Sequence, residues 1–272
     1  MKDWIQGEKF IGLATYTYSP KDKVQDDYDN LPNTLNISSL KDGDIIYTHT
    51  MYVDSLFAAL SGVNKKLVII SHNGDNHMGE GSILPENLIK WYSQNVNVKN
   101  PKIESIPIGL ENDRWSIALR KRERMLVKTY EKHYYKNLVY MNHNIETNPD
   151  KRQSPYQLFK NTKWVTTEYK RNGQDFDSYI DNVYNHRFMI CPEGNGIDTH
   201  RTWECLYMGT IPIEIRNINN QFYMDLPILF VDGWEQLTEE FLWHTYQAYQ
   251  RKKWNMEKLT FEYWKNKILC TK

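Results

Sequence analysis

The chain has 272 residues, and its 34 basic residues balance 34 acidic ones, enough length for one large domain or two of ordinary size. Balanced charge excludes a general electrostatic grip on nucleic acid or an anionic membrane, which draws on a net basic surface. No stretch approaches the ~20 apolar residues of a membrane span, Met1 to Glu8 has no long apolar run of signal-peptide type, and the three cysteines lack metal-ligand spacing; the expectation is a soluble, cytoplasmic protein without structural disulfides or a transmembrane segment, its oligomeric state open.

In chain order, Lys9 to Tyr16 reads as a first strand and Ser19 to Asn36, polar and rich in Asp, Pro and Asn, as a loop. Asp44 to His49 is a β-prone run after the turn Lys41-Asp42-Gly43. Tyr52 to Leu60 has helical spacing at Val53, Leu56, Phe57 and Leu60, and Lys66 to Ser71 is a buried strand around Leu67-Val68-Ile69-Ile70. Pro85 marks a helix start, with Leu88, Ile89, Trp91 and Tyr92 as its apolar side, and Lys102 to Ile108 is a further strand. Residues 113–136 are charged and helical in pattern, with Ile117, Ala118, Met125 and Leu126 as the stripe. The basic run Arg120 to Arg124 reads as a solvated helix face.

A second βα series follows: strand Asn137 to Met141, helix Ser154 to Asn161, strand Trp164 to Thr166, helix Phe176 to Asn185. Next come strand Phe188 to Cys191, a loop with Pro192, Gly194 and Gly196, a helix ended by Gly209, and a strand from Ile211. Leu226 to Val231 gives a last strand, and Thr238 to Tyr249 and Met256 to Ile268 the final helices. This rhythm predicts an α/β chain of two mostly parallel halves. The expected domains are 1–130 and 131–255, followed by the segment 256–272. Ligands in open parallel sheets bind beyond the carboxyl ends of the strands.

Each motif that could carry chemistry follows an expected strand. Ser71-His72-Asn73-Gly74-Asp75 comes after strand 67–70; Gly74 permits an unusual turn, and Asp75 or His72 can act as general base. His49 ends the preceding strand and Trp115 follows Ile106 to Asn112; with Asn73 they are candidate acceptor contacts. After strand 137–141 stand Asn144 and Arg152, the latter a planar fork suited to phosphate oxygens. The loop after strand 188–191 supplies Glu193, Gly194, Asn195, Gly196, Asp198, Thr199, His200, Arg201 and Glu204. A glycine loop leading into a helix N-terminus offers backbone N–H groups to an anion; His200 and Arg201 add donors, and Glu204 one turn later can accept from sugar hydroxyls. Phosphate next to ribose is the ligand this suggests. The aromatic content of 14 % fits either stacking on sugars or an ordinary core.

Phe188-Met-Ile-Cys-Pro-Glu-Gly-Asn-Gly-Ile-Asp-Thr-His-Arg-Thr-Trp-Glu-Cys-Leu-Tyr-Met-Gly-Thr-Ile-Pro-Ile213 resembles the donor-binding signature of exostosin-like glycosyltransferases. His72-Asn-Gly-Asp75, Trp91 with Gln94-Asn95, and Ile106 to Asn112 resemble the upstream half of such proteins, including compact bacterial and large-DNA-virus relatives. The resemblance spans about residues 45 to 232. It implies a GT-B fold, two Rossmann-like domains facing each other across a cleft, with 1–130 binding the acceptor, 131–255 the nucleotide sugar and 256–272 crossing back to the first domain, and catalysis without an essential metal or cofactor. Asp26-Asp27 and the Asp42/Asp44 pair look like loop and turn residues. The implied reaction moves a pentose or hexose from a nucleoside-diphosphate sugar, such as UDP-xylose or a UDP-hexose, to a carbohydrate hydroxyl. With Asp75 as base, direct displacement inverts the anomeric centre. A non-catalytic nucleotide- or carbohydrate-binding relative is the alternative. A NAD-linked oxidoreductase is disfavoured, because no Gly-x-Gly-x-x-Gly follows the first strand.

Overall fold

A computed structural model describes residues 3–20, 31–114, 116–131, 135–168 and 176–271 of the protein. Its α/β class is the expected one: two five-stranded sheets, parallel at every strand pair, consistent with two Rossmann-like domains. The chain divides into two compact units. One comprises Met1–Gly109, Gly196–Asp198 and Thr260–Lys272; the other comprises Leu110–Asn195 and Thr199–Leu259.

The first unit contains α1 (Gly7–Ile11), β1 (Tyr16–Tyr18), β2 (Ile45–His49), α2 (Val53–Ala59), β3 (Leu67–His72), β4 (Leu88–Ser93) and β5 (Ile103–Ser105). Its strands lie side by side in chain order, β1 to β5. Every residue of β2 and β3 is buried, which is why both read as continuous apolar runs rather than as alternating ones. Inside the sheet the Trp91 indole N–H donates to Ser71 Oγ at 2.8 Å, and the Ser71 and Ser93 hydroxyls are 2.6 Å apart.

Two expected elements differ. The segment read as a first strand from Lys9 is the short helix α1, which buries Phe10 against the His72 ring, with centroids 5.2 Å apart; the strand begins only at Tyr16. The segment read as a helix from Pro85 is β4. Leu88, Ile89, Trp91 and Tyr92 satisfy a helical stripe, but the run is bracketed by β3 and β5, and both of its faces are covered. Tertiary pairing overrides a spacing that six residues cannot settle.

The second unit contains α3 (Ser116–Tyr130), β6 (Asn137–Met141), α4 (Pro149–Phe159), β7 (Val165–Thr167), α5 (Phe176–Asn185), β8 (His186–Ile190), α6 (His200–Met208), β9 (Ile211–Ile215), β10 (Leu229–Val231) and α7 (Glu239–Arg251). Its strand order is β7-β6-β8-β9-β10. Numbered within the unit this is 2-1-3-4-5, the doubly wound flavodoxin-like order, whose direction of winding reverses between β6 and β8. Val139, Phe188, Ile190, Ile211, Ile213 and Trp234 form the centre of its core.

The boundary falls before α3 rather than after it. This helix buries Ala118, Lys121, Arg122, Met125 and Lys128, while Ile117 and Val127 are exposed. The expected stripe is thus rotated. Within the basic run, Arg120 is exposed, but Arg122 pairs with Asp113, and Arg124 with Asp181 of α5 at 2.7 Å.

The last helix, α8 (Phe261–Leu269), groups with the first unit. Its first turn is capped by Asp3, which accepts from the Phe261 and Glu262 N–H groups at 3.1 and 2.7 Å. Trp264 and Ile268 are buried, Lys267 pairs with Glu104, and the Thr271 hydroxyl meets that of Tyr92 at 2.6 Å. Among the described residues, no helix is long and apolar enough to cross a membrane.

Candidate functional site

The reversal between β6 and β8 is where a doubly wound sheet leaves a crevice at its carboxyl edge. In this protein it is furnished by the loop after β6, the N-terminal half of α4, the loop after β8 and the tip of α6. Pro149 at the first turn of α4, after the N-cap Asn148, starts that helix early enough to carry Arg152 back toward β8. Arg152 is buried. Its Nε donates to Glu193 O at 2.8 Å and its Nη1 to Asn144 O at 2.9 Å. Both partners are neutral carbonyls, so the charge is positioned but not neutralised. Burial and the nearby Arg201 lower its pKa to about 10.

Arg201 sits in the first turn of α6. Its guanidinium makes no hydrogen bond or salt bridge to any described residue, and its Nε is shut off from solvent without a partner. Burial works against its charge, but Tyr179, Cys191 and Glu204 nearby more than offset this. Thr199, the N-cap of α6, uses no side-chain cap bond, so the helix end is left to other acceptors.

His143 completes the group. It is 4 % exposed. Its Nε2 lies 3.0 Å from Arg152 O, an acceptor only, so this nitrogen carries the proton and donates. The Nδ1 atom is then an acceptor, buried and without a partner among the described residues. Burial, then the Arg201 charge, depress the pKa of His143 to about 4, so the ring is neutral at physiological pH.

Two guanidiniums that repel one another, a helix tip without a side-chain cap, and unpartnered polar atoms at one sheet edge make an arrangement with too few anions. Phosphate or carboxylate oxygens are the groups whose chemistry would supply what is lacking. Around it, Asn148 Nδ2 donates to Gly194 O at 2.7 Å. Glu193 accepts from Asn217 at 3.1 Å and faces Lys151 at 3.6 Å. Asn217, Asn220, Glu214 and Thr202 continue as one hydrogen-bonded chain along the carboxyl ends of β8 and β9.

The geometry gathers Asn144, Arg152, Glu193, Gly194, Thr199, His200 and Arg201 at this edge, with Asn195 exposed in the loop. Glu204 departs from expectation. It is buried and turned toward α3 and α5; Lys121 Nζ donates to its Oε1 at 2.6 Å and the Tyr179 hydroxyl to its Oε2 at 2.5 Å. Burial opposes its ionisation, but Lys121 and the Tyr179 hydroxyl hold its carboxyl below the ordinary carboxylate range. A carboxylate so enclosed cannot meet a ribose. Gly196 and Asp198 also differ, because they belong to the first unit. Asp198 accepts from Ile108 N at 2.8 Å and its own N–H donates to Asn95 Oδ1 at 2.8 Å, and a Cβ on Gly196 would meet the Asn95 carboxamide at 2.6 Å.

In the first unit, Asp75 is exposed in the loop after β3. His72 is buried; its Nε2 donates to Pro107 O at 3.1 Å and its Nδ1 accepts from Asn73 N at 2.8 Å. Both ring nitrogens are committed, so the residue fixes the turn rather than moving protons. The unusual backbone expected at Gly74 occurs one residue earlier, at Asn73 with φ 65°, a conformation Asn tolerates. Gly74 is needed for space instead, since a Cβ there would lie 2.0 Å from Thr50 Oγ1. His49 accepts from Met51 N at 3.3 Å and caps a short 3-10 turn. Trp115, Asp26 and Asp27 lie outside the described residues.

Sequence reasoning did not single out Lys121, Tyr179, Glu214, Asn217 or Asn220, and it weighed Arg152 without His143. The one available signal was Lys121, a lysine at i+3 from Ala118 on the face that continues to Met125.

No family model matches the chain, and no curated protein does. Among solved structures, one described as "Crystal structure of GtfA/B complex" aligns with 85 % of this chain at a TM-score of 0.37 and 12 % identity. The aligned part is 54 % of that structure's chain, so this protein spans about half its length.

Proposed function

We propose that the protein is a glycosyltransferase that uses a nucleoside-diphosphate sugar. The observation that carries the reading is the pair Arg152 and Arg201 at the β6/β8 reversal, with neither guanidinium bonded to a carboxylate. A diphosphate spans two such cations. The likeness of residues 188–213 to the exostosin donor signature supports a sugar nucleotide, and a UDP-pentose or UDP-hexose is the proposed donor, with a carbohydrate hydroxyl as acceptor. Arg152 and Arg201 would stabilise the departing diphosphate, where loss of one preorganised donor costs about 10²–10³ in rate. Asp75, solvent-exposed at the carboxyl end of β3, is the proposed base; it would take the acceptor proton as the hydroxyl oxygen displaces the diphosphate, inverting the anomeric centre. No metal is assigned a role.

Calorimetry with UDP and with inorganic pyrophosphate tests the donor site. The wild type should bind both, and Arg201→Ala should lose most of the affinity; equal binding by the variant places the phosphate elsewhere. Asp75→Asn should keep UDP affinity and lose transfer and donor hydrolysis. A wild-type protein that binds UDP-sugars but never cleaves them favours the non-catalytic binding relative.

A further inference from the structure

Arg201 and Glu204 are three residues apart on α6, the spacing at which an arginine and a carboxylate on a helix meet and pair. They are not bonded. Glu204 has been drawn off by two residues from other helices, Lys121 of α3 and Tyr179 of α5, at 2.6 and 2.5 Å. Lys121 is itself buried, lies 3.6 Å from Glu111, and has its ammonium 5.6 Å from the Tyr179 ring centroid. These contacts join three helices around one carboxylate while the adjacent guanidinium stays without a bonded partner.

From this we infer that Lys121 is a positioning residue for the anion site: by holding Glu204 against α3 and α5, it keeps that carboxylate from closing on Arg201, and so leaves Arg201 open to a phosphate. The inference rests on the phosphate reading of Arg201. It gives Lys121 a role without contact to the ligand. A buried carboxylate that loses its cation is drawn to another within reach, because an unpaired buried charge is costly; Arg201 stands one helical turn before it, and Glu204 already favours its charge.

The test is a double-mutant cycle read by pyrophosphate titration in a calorimeter, on the full chain, with far-UV dichroism as the fold check. Lys121→Met should weaken pyrophosphate binding about tenfold or more, and adding Glu204→Gln in the same chain should restore it to within about threefold of wild type. Full affinity in a folded Lys121→Met overturns the inference, and so does a double variant as weak as the single one, which would mean that Lys121 itself attracts the anion. Where Lys121→Met is too unstable to titrate, Tyr179→Phe, which removes the other hold on Glu204, carries the same test with the same rescue. Arg201→Ala separates the two levels. If it binds pyrophosphate as well as wild type, the phosphate reading fails and this inference with it; if it loses binding while Lys121→Met does not, this inference alone fails.

Discussion

Arg152 lies over Gly194 so closely that a Cβ on the glycine would stand 2.9 Å from Nη2 of the guanidinium. Gly194 therefore leaves the room that the Arg152 guanidinium occupies. Nη2 is the one nitrogen of Arg152 that makes no hydrogen bond to a described residue, since Nε and Nη1 are held by the Glu193 and Asn144 carbonyls. A methyl group at 194 would push that nitrogen aside and strain both carbonyl bonds.

Gly194→Ala is accordingly expected to fold, because the obstructing atom is the end of a flexible side chain, with Tm within about 3 °C of wild type. Its affinity for pyrophosphate should fall about ten- to a hundredfold, the cost of displacing a positioned donor by about an ångström. Calorimetric titration beside a thermal melt checks both halves. Undiminished affinity means that Nη2 does not face the anion.

His72 and Asp75 make opposite predictions although only two residues separate them. His72 spends both ring nitrogens on backbone, stacks on Phe10, and lies against Gly7, where a Cβ would stand 2.6 Å from its Nδ1. His72→Ala should cost about 2–4 kcal/mol, from a cavity and two stranded backbone groups. Turnover per folded molecule, after correction by urea titration, should change far less than for Asp75→Asn. A His72→Ala protein of normal stability and no activity reverses the assignment.

Much of the fold was legible because parallel strands covered on both faces cannot hide their composition. Leu67-Val68-Ile69-Ile70 and Phe188-Met189-Ile190 announce themselves, and Gly209, at φ 80°, ends α6 where a glycine ends a helix. Residues 88–93 were not legible, because six residues fit two periods and only the neighbours β3 and β5 decide. The proposed anion site was half legible. Arg152 and Arg201 follow strand ends, and a strand end is visible in sequence. The fate of Glu204 was not, since it is set by Lys121, 83 positions away in the chain, and a lysine in a charged helix looks like any solvated lysine until the packing turns it inward.

The neutral state of His143 gives the protein an acid limit with a definite sign. In the unfolded chain this histidine titrates near 6.5, but in the fold only near 4. Between those values the unfolded state holds more protons, so stability is complete above about pH 6.5 and falls as pH drops toward 4. Fully expressed, the effect is about 3 kcal/mol. His186 acts in the same direction; burial lowers its pKa, and its ring donates to Asn182 O at 2.6 Å and meets the Thr166 hydroxyl at 2.8 Å. Carboxylates whose pKa is lowered in the fold, Glu204 and Asp225, lose their contribution only further into acid. Urea denaturation at pH 7.5 and pH 5 should therefore show the wild type losing stability before its carboxylates titrate. His143→Gln, whose amide can still donate to Arg152 O but does not titrate, should lose clearly less over the same interval. An equal loss in both proteins would mean that His143 is protonated in the fold, and the positive potential assigned to Arg152 and Arg201 would have to be neutralised from within.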